Sequence, residues 1–149
     1  MPYFSYNSKA RLATCDQRLQ DLFNEIIKEY DCAILCGHRT KEEQEKAFDA
    51  GNSKLHFPRS RHNKSPSIAV DVVPYLTKEP HIIWGGFDEY NKYFKDRFKT
   101  LKDYNNFVTC TYTVFANHVI DKATEMGIPL EWGGSWKTIV DMPHYQLII

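Results

Sequence analysis

Imidazole and carboxylate groups able to act together are concentrated in two short stretches. In SRHNKSPSIAVDVVP, Ser60 to Pro74, His62 precedes Asp71 by nine positions; in DMPHYQL, Asp141 precedes His144 by three. Residues Ile68 to Val73 are the β-branched and small apolar side chains of a strand, closed by Pro74. Asp71 lies within that strand, on the same pleat face as Ala69 and Val73. Apolar residues on both faces predict a central strand covered on both sides. An ionised carboxylate there costs several kcal/mol unless a positive group stands beside it.

An arginine, a histidine or a metal ion could supply that charge. His62 is nearest in sequence, and the turn-rich NKSPS loop lets the chain fold back to bring it beside Asp71. A mixed imidazole–carboxylate pair suits Zn²⁺, which takes both ligand types at about 2.0–2.2 Å. A catalytic zinc needs a third protein ligand and one open position. The DMPHYQL stretch offers such a ligand. Pro143 pushes Met142 out of the helical region, so Asp141 and His144 flank a bend that allows them to converge. His144 reads as the third ligand and Asp141 as a carboxylate beside the open position. Plainer readings stay open on residue type alone: each histidine could be merely hydrogen-bonded, and Asp71 could be satisfied by backbone N–H groups or by Arg39. Cys32, Cys36 and His38 form another conceivable zinc set, at poor spacing.

The elements that must hold these groups are legible in part. Asp16 opens a helix with Leu19, Leu22, Phe23, Ile26, Ile27 and Tyr30 at helical spacing. CAILC is a short strand stopping at Gly37, and TKEEQ is a capping box with Thr40 at the N-cap and Glu43 at N3, launching a helix that Gly51 ends. Residues 52–67 read as loop. From Lys78 to Phe107 the pattern is unclear, although FDEYNKYFKDRF suggests an aromatic-faced helix. An amphipathic helix is predicted from about Thr113 to Met126, then a short strand in GIPLEW and a final strand in HYQLII. Helices and short strands in irregular order predict an α+β fold.

Composition narrows the function. The chain of 149 residues predicts one domain, and 19 basic against 19 acidic residues leave no global field favouring nucleic acid or an anionic membrane. No apolar run reaches the ~18 residues of a membrane span, and the N-terminus lacks the apolar core of a signal peptide. Synthesis and folding in a cytoplasm are therefore expected. Four cysteines without a CxxC pair predict reduced thiols.

SRHNKSPSIAVDVVP resembles the Ser-x-His…Ala-x-Asp motif of the zinc D-alanyl-D-alanine carboxypeptidase and dipeptidase family, and more nearly its phage endolysin branch, the L-alanyl-D-glutamate endopeptidases. LCGHRTKEEQ, ATEMGIPLEWGG and WGGSWKTIVDMPHYQL agree with it in order, so the resemblance covers most of the chain from Asp16 onward. It implies a small, mostly antiparallel central sheet with helices packed on it and a zinc cleft at the sheet, as in the hedgehog-like fold. It also implies one Zn²⁺ per chain on His62, Asp71 and His144, with Asp141 as the catalytic carboxylate. Arg39 would bind and polarise substrate, and Ser60 would touch it. Two departures stand out: the interval from His62 to Asp71 is longer than usual, and Ser135 replaces the usual aspartate of the WGGDW loop.

The implied activity is hydrolysis of a peptidoglycan stem-peptide amide by zinc-activated water with Asp141 as general base. An aspartate at 141 favours the L-Ala–D-Glu bond; D-Ala-D-Ala hydrolysis and a non-catalytic zinc-containing wall-binding module are the alternatives. Lys54, Arg59, Arg61 and Lys64 form a loop free of acids that could attract stem-peptide carboxylates, and Trp132 or Trp136 could line the cleft, with Trp132 the candidate substrate contact. A monomeric catalytic domain spanning 1–149, without a separate cell-wall-binding domain, is expected to reach the wall by holin-type release. If all four thiols are free, reductant should leave the melting temperature and activity unchanged. A fall in melting temperature on reduction would reveal a disulfide.

Overall fold

Capping chemistry sets the helix starts. In the computed structural model, which describes residues 2–149, Ser5 accepts the Ser8 N–H to open α1 (Tyr6–Leu12), and the Asp16 carboxylate accepts the Arg18 N–H to open α2 (Gln17–Glu29). The buried face of α2 is Leu19, Leu22, Phe23, Ile26 and Ile27, the periodic set expected of it. β1 (Cys32–Cys36) leads to α3 (Lys41–Asp49), whose Thr40–Glu43 capping box has both reciprocal hydrogen bonds. After a 3₁₀ turn at Arg61–Asn63 come β2 (Ala69–Pro74), the single turn α4 (Phe87–Glu89), the long α5 (Leu101–Glu125), β3 (Leu130–Trp132) and β4 (His144–Leu147).

The four strands form one antiparallel sheet in the order β1-β2-β4-β3, the α+β architecture expected. β2 is central, and its alternation divides the sheet. Val70 and Val72 point, with Ile34, Tyr145 and Leu147, into a core completed by α2 and by Phe115, Ala116 and Val119 of α5. Val73 belongs to a second, aromatic-rich core with Ile83, Tyr90, Phe94, Tyr104, Val108 and Tyr112. Asp71 is directly opposite His144 on one side and Cys36 on the other. Residues paired in this way share a face. Cys36 reaches that position because the register slips between Ile34 and Cys36, leaving Leu35 as an extra residue.

Two elements differ from expectation. α5 begins at Leu101, twelve residues before the predicted start at Thr113, with Thr100 accepting the Asp103 N–H as its cap. Its first half buries Tyr104, Val108 and Tyr112 in the aromatic core and its second half buries Phe115 to Ala123 in the other, so the apolar stripe changes partner midway. FDEYNKYFKDRF, expected as one helix, is α4 followed by a π turn, Tyr90–Phe94. Here the aromatic side chains dictate the path: Phe94 stacks on Tyr104 with ring centroids 4.4 Å apart, and the Tyr90 hydroxyl bonds the Phe98 carbonyl at 2.9 Å.

α1 was not predicted, for it buries only Ser8 and Leu12. It guards the free edge of β1: the Ile34 N–H donates to Ser8 Oγ at 3.0 Å and Arg11 Nη1 donates to the Ile34 carbonyl at 3.1 Å. Beyond this edge Gly37 packs so closely that a Cβ there would collide with the Arg11 carbonyl oxygen and the Thr14 hydroxyl. Gly37→Ala should therefore cost about 1–3 kcal/mol, the usual range for overpacking, read as a lower urea midpoint at constant slope. An unchanged midpoint would show that the turn after α1 yields freely.

Candidate active site

The candidate side chains stand together on one face of the sheet, brought there by three separate devices. β2 supplies Asp71, and β4 supplies His144 across from it. His62 arrives from the loop, on the 3₁₀ turn capped by Ser60, whose hydroxyl accepts the His62 N–H at 3.2 Å. Asp141 is held by a bend: its N–H donates to the Gly133 carbonyl at 3.0 Å, its carbonyl accepts the His144 N–H at 3.2 Å, and Trp132 Nε1 donates to the Met142 carbonyl at 2.6 Å. Gly133 must be glycine here, because a Cβ would run into the Asp141 carbonyl.

Both imidazoles meet one carboxylate oxygen. Asp71 Oδ1 lies 3.2 Å from His62 Nε2 and 3.2 Å from His144 Nδ1. The opposite ring nitrogens are already engaged, His62 Nδ1 with the Gly37 carbonyl at 2.7 Å and His144 Nε2 with Gln146 Oε1 at 2.8 Å. Both outer partners are acceptors, so a neutral ring that donates its proton outward turns a lone pair toward Asp71. Two lone pairs and a carboxylate oxygen converging in this way require a cation, either a proton or a metal ion. Nitrogen and oxygen donors of this kind fit zinc.

Electrostatics follow this geometry. Burial, the largest single influence on His62, disfavours its charged form, yet the hydrogen bonds and charges of Asp71 and Cys36 together outweigh it and push its pKa up to about 10. Burial alone would raise Asp71; its bonds to His144 and His62 prevail and hold the carboxyl well below the usual range. Asp141, with Oδ2 3.9 Å from His144 Nδ1, moves the other way: burial, reinforced by the charge of Asp71, raises it.

Cys36, His62 and Asp71 also form a group that could hold a metal ion, with ligand-capable atoms within 4.8 Å of one another. The Cys36 thiol lies 3.8 Å from His62 Nδ1, on the side of the ring facing Gly37. Of the cysteine-based set considered from sequence, only Cys36 approaches the site: Cys32 is buried in the core, and all four cysteines are free thiols.

Arg39 stands between the sheet and the cleft wall, with Nη2 3.9 Å from Asp71 Oδ2. Its Nη1 donates to Gln44 Oε1 at 3.0 Å, and Gln44 is a hub that the sequence did not reveal. Fully buried, Gln44 accepts from Asn63 Nδ2 at 3.2 Å and donates to Ser53 Oγ at 2.9 Å and the Leu55 carbonyl at 2.6 Å. Arg39, the His62 turn and the loop over the cleft are thus tied to one side chain. A glutamine on the inward face of α3 was the only available signal.

The cleft, of about 750 Å³, runs between this loop and residues 136–141. Ser60, Arg39 and Asp141 line it, as do Lys54, Arg61 and Lys137. Trp136 faces it beside the His144 ring, at 5.2 Å between centroids. Trp132, the expected substrate contact, is placed behind the site, packed against both cores with its N–H spent on Met142. Ser135, in the variant loop, donates to the Trp132 carbonyl at 2.8 Å.

An α+β sheet with imidazole, carboxylate and guanidinium groups gathered at its open face has the makings of a hydrolytic site. The sequence profile of the phage L-alanyl-D-glutamate peptidases matches residues 2–106, and the chain belongs to this family. The matched segment includes Arg39, Ser60, His62 and Asp71 and ends before Asp141 and His144. The chain is also similar to the L-Ala D-Glu endopeptidase ChiX of Serratia marcescens. That crystal structure is 25% identical, with a TM-score of 0.66, over 99% of this chain and 91% of that one. No curated protein matches the sequence. Among the described residues, no helix is long and apolar enough to cross a membrane.

The His62–Asp71 pair gives the metal-free protein a defined pH dependence. A folded pKa of about 10 against an ordinary 6.5 means that the pair's stabilisation is complete below pH 6.5 and lost as pH rises through 10. In chelator-treated samples the melting temperature of the parent should exceed that of His62→Gln near neutrality, and the gap should shrink toward pH 10. A gap independent of pH would remove the ion pair.

Proposed function

We propose that the protein is a zinc peptidase of peptidoglycan that hydrolyses the L-Ala–D-Glu amide of the stem peptide, with residues 1–149 as one catalytic unit. The observation that carries this reading is the convergence of His62 Nε2 and His144 Nδ1 on Asp71 Oδ1, with Asp141 alongside and not among the converging atoms. His62, Asp71 and His144 would hold the metal. Bound there, zinc would act as a Lewis acid and lower the pKa of a water from 15.7 to about 7.

The chain's own groups do the rest. Asp141, its proton affinity raised by burial and by the charge of Asp71, takes the proton of the attacking water and returns it to the leaving amine. The Arg39 guanidinium, fixed by Gln44, faces the negative charge that develops on the carbonyl oxygen. Lys54, Arg61 and Lys137 give the cleft a cationic rim suited to the free carboxylates of a stem peptide. The family supports the L-Ala–D-Glu bond over D-Ala-D-Ala. As an endolysin-type enzyme, it would meet the wall only after release from the producing cell.

Digestion of purified cell wall, with products identified by mass, tests the reaction; new amino-terminal D-glutamyl peptides are expected, and intact stems would refute it. Asp141→Asn keeps the shape but cannot take a proton near pH 7. That variant should fold, retain zinc and lose about 10²–10⁴-fold in rate. Loss of zinc would make Asp141 a ligand, and near-parental activity would remove it from the mechanism.

A further inference from the structure

The two imidazoles at Asp71 are oriented by different means. His62 relies on a main-chain carbonyl, Gly37, which no side-chain substitution removes. His144 relies on side chains alone. Its Nε2 meets Gln146 Oε1 at 2.8 Å, and the Gln146 amide nitrogen donates to Glu131 Oε1. The sheet register builds this row: Glu131 pairs with Gln146 across β3 and β4, and Gln146 is two residues after His144 on the same face.

We propose that Gln146 and Glu131 are positioning residues that fix the tautomer of His144, so that Nδ1 is the nitrogen presented to the cleft. The inference rests on the metal reading of the site. A carboxylate only accepts, so Glu131 orients the Gln146 amide with its nitrogen outward and its oxygen toward His144. That oxygen accepts a proton from Nε2, which leaves the lone pair on Nδ1, 3.2 Å from Asp71 Oδ1. In the other tautomer an Nε2 lone pair would confront the amide oxygen. Turning the amide over would only move the conflict to Glu131. Gln146 is 8% exposed, so water does not readily substitute for either partner. Outer hydrogen bonds of this type select which nitrogen of a ligating histidine is free and raise its basicity.

Zinc affinity of the full chain, measured by competition with a chromophoric chelator, provides the test. Gln146→Leu removes the acceptor and should weaken zinc about 10–100-fold. Gln146→Glu sets two carboxylates against each other and should also weaken it. Adding Glu131→Gln to Gln146→Glu reverses the donor and acceptor between these two positions while keeping an acceptor for His144, and should recover most of the loss. A purely structural role would not be rescued by this exchange. A second readout needs no variant: imidazole nitrogen shifts of the chelated parent, at a pH where the ring is neutral, should show the proton of His144 on Nε2. Parental zinc affinity in Gln146→Leu, or a proton on Nδ1 in the parent, would overturn the relay. A parent that binds no zinc would refute the metal reading, and the nitrogen shifts would still decide the relay.

Discussion

Asp71 places a negative charge in the central strand of the sheet, flanked on both sides by paired strands and with apolar cores reached by its neighbours Val70, Val72 and Val73. Such a charge is tolerated only where its surroundings answer it. The surrounding architecture does so from three directions: the loop returns His62 to one side, β4 sets His144 on the other, and the helix-capping segment after β1 brings Arg39 to the second carboxylate oxygen. With either imidazole removed, Asp71 Oδ1 would keep only the other ring as a partner, and Arg39 would face its second oxygen from 3.9 Å. Chemistry and stability therefore draw on the same few contacts.

Division of labour between the two sides of the sheet makes this workable. One side is given to packing, with α2 and the second half of α5 closing over valines, Ile34 and Tyr145. The other is shared: Val73 meets the aromatic core, and beside it stand polar side chains at alternate positions, Asp71 on β2 and His144 and Gln146 on β4. Close approaches that only glycine permits, at 37 and 133, then pull the flanking loops tightly enough to supply a carbonyl acceptor for His62 and a fixed bend for Asp141.

Much of this was legible from residue type and spacing. Asp71 betrayed itself as a charge in an apolar strand, Pro143 marked the bend that joins Asp141 to His144, and Thr40 with Glu43 announced α3. What escaped notice depended on tertiary partners. Gln44 and Gln146 look like ordinary surface residues until the fold buries them, and Cys36 reaches the site only through a slip in strand register. α1 has too few apolar residues to declare itself, since it is held by hydrogen bonds to a strand edge. The true length of α5 was concealed because its two halves serve different cores.

That last feature ties the stability of the whole molecule together. A 25-residue helix shared between two clusters cannot fray at one end without withdrawing side chains from the core at that end, and its continuous backbone ladder resists a break in the middle. The aromatic cluster, which in another arrangement could melt as a separate unit, is thereby coupled to the cluster behind the site. Local opening of the kind that lets catalytic loops breathe is confined to the segments outside this splint. Through Val70, Val72 and Val73, the strand that carries Asp71 is packed into both clusters and so is joined to both halves of this helix.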